Sequence, residues 1–563
     1  MSRRRSTALA LLLAVAIVPY FLDLGGSSIW DANEAFYVET PREMMEQRDY
    51  VTPTFNYEPR LNKPVLSYWI VAGFYRVFGV SVAVQRVPIA LGALILILTA
   101  ACLARAASTN GGHGDRQSSA TGIRTATEAA LWAGLGLAVT PRLLMFGRRI
   151  FIDVYISMFF GLTLLCFVLA ERVPGRRRTW LVLMYAAAGL GTLTKGPVAI
   201  VLPALAFGLY LLWHGELRRL KSMMLPAGAG IVLLIVAPWY VALYLRHGWG
   251  PVTEFVFGEN VARYTTGVGV DSERGPLFYL PVLISDSFPW SMFLVAAAMS
   301  WWRARKAGAA KEPAQRIRTL LGIWVVVFVA FFSASAAKQD LYIFPIAPAV
   351  AALAGVTIAS GLPAAVRWTT VATGAVIALA GAGVLYLFGP GASVYALRGA
   401  LAMGGTAVAG GLFVAGAAAS NRVRESLFAI AITFIILNWV FVLRVLPDFE
   451  RFKPVPGFAE TLAPRMKPDD ALITYDEALP SLVFYLRRHI DPYFLPDEVF
   501  ERFRENRGVY AIMSPENYAE LAPRIKARTC IIDRRPTFNV KLKNMLNRDS
   551  LPELLIVTNR CGI

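Results

Sequence analysis

Apolar runs long enough to cross a bilayer as helices recur along most of the chain, separated by short polar breaks. They fall near 7–24, 84–106, 126–144, 154–171, 179–194, 197–214, 224–245, 277–301, 318–337, 341–360, 367–388, 397–418 and 425–446, about thirteen in all. Residues 64–80 are also apolar but short, and Arg76 interrupts them. They read as an interfacial helix leading into the span at 84–106. From 447 the pattern changes to short β-rich runs alternating with helical ones, the pattern of a small α/β domain. The expected architecture is therefore a polytopic α-helical membrane protein. Residues 1–446 form its transmembrane domain and 447–563 a C-terminal α/β domain.

One stretch departs from this alternation. The loop over 25–63, between the first span and the interfacial helix, is far longer than a connection needs to be. It is dense in acids, aromatics and prolines. Loops of such length inside compact proteins are functional or disordered, and Trp30, Phe36, Tyr37, Tyr50, Phe55 and Tyr57 argue for order.

Composition supports the membrane reading, since 56% of residues are hydrophobic and only 17% charged. The net charge of +18 could suggest nucleic acid. However, the arginines cluster in alternate short loops, as at Arg172, Arg176–Arg178, Arg218–Arg219, Arg303–Arg305 and Arg422–Arg424, which is the positive-inside pattern. No nucleic-acid partner is expected. The start resembles a signal peptide, but no convincing cleavage site follows, so an uncleaved first span with a cytoplasmic N-terminus is expected. An odd number of spans then places the loop 25–63 and the C-terminal domain outside the cytoplasm. Cys102 and Cys166 lie in apolar spans, where packing explains them. Cys530 and Cys561 share the C-terminal region and could pair there.

Several charged groups gather on that outer face. Asp31 and Glu34 are spaced as a capping box, and Thr40-Pro41-Arg42-Glu43 forms a second, so two short capped surface helices are the plain expectation. The functional reading makes Asp31, or else Glu34, a general base. Lys63 stands where the chain re-enters the membrane, either snorkelling or clamping a lipid phosphate. Arg148 and Arg149 at the outer end of a span run against the positive-inside bias. A phosphate or an ion pair with Asp153 would account for them. Lys195, beside a Gly-Pro break, is the sharpest intramembrane charge. Arg263 in the second outer loop, with Lys338 and Tyr342 at the end of another span, completes the set. Together they describe a site for an anionic lipid headgroup beside a proton acceptor.

The ordered set WDANEAFYVETPREMMEQRDYVTP, RLNKPVLSYW, Arg148–Asp153, Thr194-Lys195-Gly196-Pro197 and SASAAKQDLYIFPIAPA resembles bacterial GT-C glycosyltransferases of the protein O-mannosyltransferase and lipid A aminoarabinose transferase group. The resemblance implies an enzyme of the inner (plasma) membrane. It would transfer a sugar, with inversion, from a polyprenyl-phosphate donor to a lipid A-like lipid, a protein or another glycan. Asp31, Glu34 and Asp153 are the candidate catalytic carboxylates. Lys63, Arg148, Arg149, Lys195, Arg263, Lys338 and Tyr342 are the candidate donor-phosphate ligands. The family's first-loop aspartate position holds Asn33 here, and Asn62 stands where a glutamate contacting metal is often found. A divalent metal is the one candidate cofactor. The rival readings are a transporter or flippase of lipid-linked sugars, and a non-catalytic homologue.

Overall fold

The computed structural model describes residues 3–31, 33–109, 116–267, 274–360, 366–391, 394–538, 546 and 550–561. Each apolar run falls on a helix or a bent helix pair. Among the described residues, nine helices are long and apolar enough to cross a membrane, or up to eleven if each bent pair is one span. Arg177–Lys195 and the shorter Val198–Trp213 are also helical, so helix accounts for each of the thirteen expected runs, of which nine to eleven meet the length and composition of a span. The bent pairs are Gly122–Val139 with Pro141–Gly147, turned by 64°, and Pro276–Asp286 with Trp290–Lys306, turned by 108°. Pro141 causes the first break, because the residue before a proline is driven from helical geometry, and Thr140 is extended.

Small residues let the spans pack closely. A Cβ at Gly374 would lie 2.6 Å from the backbone of both Gly411 and Ala415, where helices Val366–Phe388 and Ala400–Ala419 cross. In lipid, close van der Waals contact replaces the hydrophobic drive, and it needs glycine and alanine at the contact. Exposed Leu233, Leu234, Leu245 and Leu379 belong to the lipid-facing surface.

The two ends of the bundle differ in charge. At one end the basic connections bind one another: Arg172 donates to Ala106 O at 2.7 Å, Arg219 pairs with Glu171 at 2.6 Å, and Arg316 pairs with Glu216 at 2.6 Å. At the other end lie the 25–63 loop, the 247–266 connection and the C-terminal region.

The loop 25–63 is ordered. The two expected surface helices are one helix, Asn33–Gln47, which continues through Pro41 and is buried over most of its length. Tertiary packing has overridden the local break. Glu34 does reach back as a cap, its Oε2 accepting from Trp30 N–H at 3.0 Å, whereas Asp31 accepts from Ser481 N–H at 2.9 Å instead. A hairpin follows, β1 (Thr54–Phe55) with β2 (Glu58–Pro59), turned by Asn56 and Tyr57 at positive φ. The interfacial helix is Leu66–Phe78.

The C-terminal region holds β3 (Ala471–Tyr475), β4 (Asp491–Tyr493), β5 (Val509–Met513), β6 (Cys530–Pro536) and β7 (Glu553–Thr558) in the order β4-β3-β5-β7-β6. Strand β3 pairs parallel with β4 and β5, and β7 is antiparallel to both its neighbours. Side chains alternate along each strand, so Leu472 and Ile512 meet Phe458 and Leu482 on one face, while Ile473 and Ala511 meet Val499 and Phe503 on the other. Cys530 and Cys561 are disulfide-bonded, with Cα atoms 5.8 Å apart. The helical run that begins at Val423 continues past 446 to Phe452.

Candidate active site

A cavity of about 430 Å³ opens at the acidic end of the bundle. Its walls are apolar, with Ile156, Phe160, Val198, Val201, Phe331 and Phe332 among them, and its charged groups are Lys63, Asp153, Lys195, Glu259 and Arg263. Lys63 Nζ donates to Glu259 Oε2 at 3.0 Å, and Arg263 donates to the same oxygen at 2.9 Å. Lys195 is ion-paired with Asp153 and stands 5.3 Å from the centre of the Tyr342 ring. Burial pushes the Lys63 ammonium down, and Glu259 opposes that shift. Arg263 Nε is buried without a hydrogen-bond partner. The arrangement suits an anion on an apolar tail, since guanidinium and ammonium donors converge where the apolar walls end.

Local structure brings these groups together from distant positions. Lys195 ends helix Arg177–Lys195 because Gly196 follows at φ +99°. There a Cβ would meet the Phe255 ring at 2.9 Å. Pro197 then starts the next helix. Asp153 lies in the first turn of Ile152–Arg172, where a carboxylate is favoured by the helix dipole. Glu259 sits on a π-helical stretch, Glu254–Ala262, and Arg263 begins the α-helical turn after it. Such irregular turns re-aim side chains and are frequent at functional sites.

Of the ten residues singled out from the sequence, Lys63, Asp153, Lys195, Arg263 and Tyr342 line the cavity. The other five do not. Glu34 forms a buried ion pair with Arg86, whose Nε lies 2.8 Å away. Burial alone would raise Glu34, but Arg86 and the Trp30 N–H hold it below the usual carboxylate range. Asp31 is turned to the C-terminal region, and burial raises it against the Ser481 hydrogen bonds. Arg148 spends its guanidinium on the carbonyls of Pro19, Leu22 and Asp23. Arg149 lies over the Trp30 ring at 4.3 Å. Lys338 donates to Ser335 O at 2.5 Å, beside the cavity wall.

Glu259 and Arg86 are not among the ten residues singled out from the sequence. Both carried a signal: Glu259 stands four residues before Arg263 on one helical face, and Arg86 is a lone charge inside an apolar run. A third cluster holds the first loop together. Arg42 pairs with Glu39 and Glu46, and Glu43 accepts from Tyr57 N–H at 3.1 Å while its second oxygen is buried without a partner. Burial pushes Glu43 up to about 7, and neighbouring Glu39 adds to the shift. The donor set for a metal does not assemble: among the described residues no three His, Cys, Asp or Glu side chains converge on a common point.

Residues 121–241 match the family described as dolichyl-phosphate-mannose-protein mannosyltransferase. The chain is 28% identical over 361 residues to an undecaprenyl phosphate-alpha-4-amino-4-deoxy-L-arabinose arabinosyl transferase of Pseudomonas fluorescens, covering 63% of this chain and 60% of the relative. A protein of the same description from Pectobacterium carotovorum is 29% identical over 427 residues, covering 71% of this chain and 69% of the relative. Several of the curated relatives are thus matched over about 60% of their length. In three dimensions the chain resembles ArnT from Cupriavidus metallidurans, solved bound to undecaprenyl phosphate, with a TM-score of 0.77, 23% identity and 99% of each chain covered. The apo form of that protein gives a TM-score of 0.75 at 22% identity, covering 99% of this chain and 98% of the other. Multi-pass and membrane-embedded, the chain has the GT-C fold, and its sequence is similar to those of the undecaprenyl phosphate-aminoarabinose arabinosyl transferases.

Proposed function

We propose that the chain transfers a sugar, with inversion, from a polyprenyl-phosphate donor to an acceptor hydroxyl or phosphate at the membrane surface. The observation that carries this reading is the apolar cavity rimmed by Lys63, Lys195 and Arg263. The apolar walls suit the lipid and the cations suit its phosphate. Its relatives' descriptions point to undecaprenyl phosphate as the carrier and an aminoarabinose as the sugar. A lipid A-like lipid is the first acceptor to test, with protein and glycan acceptors behind it.

In this reaction the bond between the anomeric carbon and the phosphate oxygen breaks, and that oxygen keeps the electron pair. Phosphate is a weak base, so the step needs cations to meet the growing charge more than it needs an acid. Lys63, Arg263 and Lys195 would supply them. The acceptor oxygen attacks the opposite face of the sugar. Asp153, the carboxylate beside Lys195, takes its proton if the acceptor is a hydroxyl, and otherwise orients it. Asp31, Glu34, Arg148 and Arg149 then act as positioning groups for the first loop. Residues up to Phe452 form the catalytic transmembrane unit, and those after it a cover on the same face. The basic connections at the opposite end favour a cytoplasmic N-terminus, with the site and the C-terminal region outside. The Cys530–Cys561 disulfide suits that placement.

The test is mass spectrometry of envelope lipids and proteins from a deletion strain. Wild type should restore one sugar modification, and Lys195→Ala should reduce transfer by on the order of 10²–10³-fold. Full restoration by Lys195→Ala would remove the cation cluster from the mechanism.

A further inference from the structure

The cavity's charge balance depends on Glu259. Lys63, Lys195 and Arg263 face two carboxylates, Asp153 and Glu259, which leaves one net positive charge on the cavity wall. Asp153 is committed to Lys195. Glu259 is shared, since its Oε2 alone accepts from both Lys63 at 3.0 Å and Arg263 at 2.9 Å. A phosphate oxygen that bridges those two cations through their remaining donors, the unpartnered Arg263 Nε among them, would stand beside that carboxylate and feel its charge.

The two lipids of the proposed reaction differ in charge. The donor is a phosphodiester with one negative charge. The product is a phosphomonoester, which takes a second charge at a pH of about 6. A wall with one net positive charge is matched by the donor and exceeded by the product.

We propose that Glu259 is a resident counter-anion that sets the cavity's charge for the monoanionic donor and so favours release of the dianionic lipid phosphate. The inference rests on the donor reading of the same cavity. Glu259 is then a specificity-determining residue, discriminating the diester from the monoester by charge. It also holds Lys63 and Arg263 together and oriented while no phosphate bridges them. Its π-helical setting, with Asn260 Nδ2 donating to Phe255 O at 2.7 Å, fixes where the carboxylate stands.

The experiment titrates the purified full chain in detergent with undecaprenyl phosphate and, in parallel, with undecaprenol. Wild type should bind the phosphate more tightly than the alcohol. Glu259→Gln should bind the phosphate at least about tenfold more tightly than wild type, the scale of one charge-assisted contact. Its binding of the alcohol should be unchanged. The gain should grow between about pH 5.5 and about pH 8, as the monoester takes its second charge. Glu259→Asp, which keeps the charge, should stay near wild type. Equal or weaker phosphate binding by Glu259→Gln, with Glu259→Asp normal, overturns the inference and leaves the donor reading standing. Equal affinity of wild type for the two lipids overturns the donor reading, and this inference with it. Should Glu259→Gln not fold, the wild-type pH series decides: affinity that climbs steeply with the monoester's second charge contradicts a wall matched to one charge.

Discussion

Arg86 and Glu34 show how a single buried pair fixes the floor of the first loop. Both side chains are almost wholly inaccessible, and Arg86 also donates to the carbonyls of Leu24, Ser27 and Ser28. Removing one partner leaves the other charge uncompensated, so Arg86→Ala should cost about 3–5 kcal/mol. Thermal unfolding in detergent would read this as a large drop in Tm, and an unchanged Tm would show that the pair is not structural. Glu43 gives a second residue-level expectation, this time in pH. Burial raises it from 4.5 to about 7. Between those values the folded chain holds a proton that the unfolded chain has lost, so stability falls as pH rises through that window. Glu43→Gln should flatten the decline, and unfolding curves collected between pH 4.5 and 7 would reveal it.

At the scale of elements, the site depends on how helices stop. Gly196 turns the chain at positive φ against the Phe255 ring, and Lys195 takes its position from that turn. Gly196→Ala should strain the turn, crowd Phe255 and lower transfer by more than it lowers Tm, which paired activity and unfolding measurements would separate. Helices of this kind were legible in the sequence because length and apolarity alone specify a span. The course of Asn33–Gln47 was not. Pro41 marks a local stop, yet packing against the bundle and the C-terminal region carries the helix through it. Lys195 stood out as a charge in apolar surroundings, where burial without function is costly, whereas Lys63 and Arg263 stood out only by gathering on the same membrane face. Asp31 could not be placed in the same way, because its partner Ser481 lies 450 residues away and nothing local announces it.

Across the whole molecule, charge divides the two ends of the bundle, and this gives a topology that can be measured. A reporter active only outside the cytoplasm, fused after the C-terminal sheet, should be active, and one placed in the Arg218–Lys221 connection should be silent. The reverse pattern would invert the proposed orientation. The two ends also differ in what they bind: the basic end closes on its own carboxylates, whereas the acidic end gathers the cavity, the first loop and the sheet.

The contacts between the first loop and the C-terminal region bear on how the protein is made. Ser28 donates to Glu450, Ile29 to Tyr485, Ser481 to Asp31, and Asn56 to Ile490, all across more than 400 residues of sequence. During synthesis the loop is complete long before its partners leave the ribosome. For most of translation Asp31 and the hairpin turn therefore wait without them, and the loop reaches its final shape only after the last spans have been inserted. A chain released before residue 450 would carry the cavity's cations beside a first loop that lacks these four contacts.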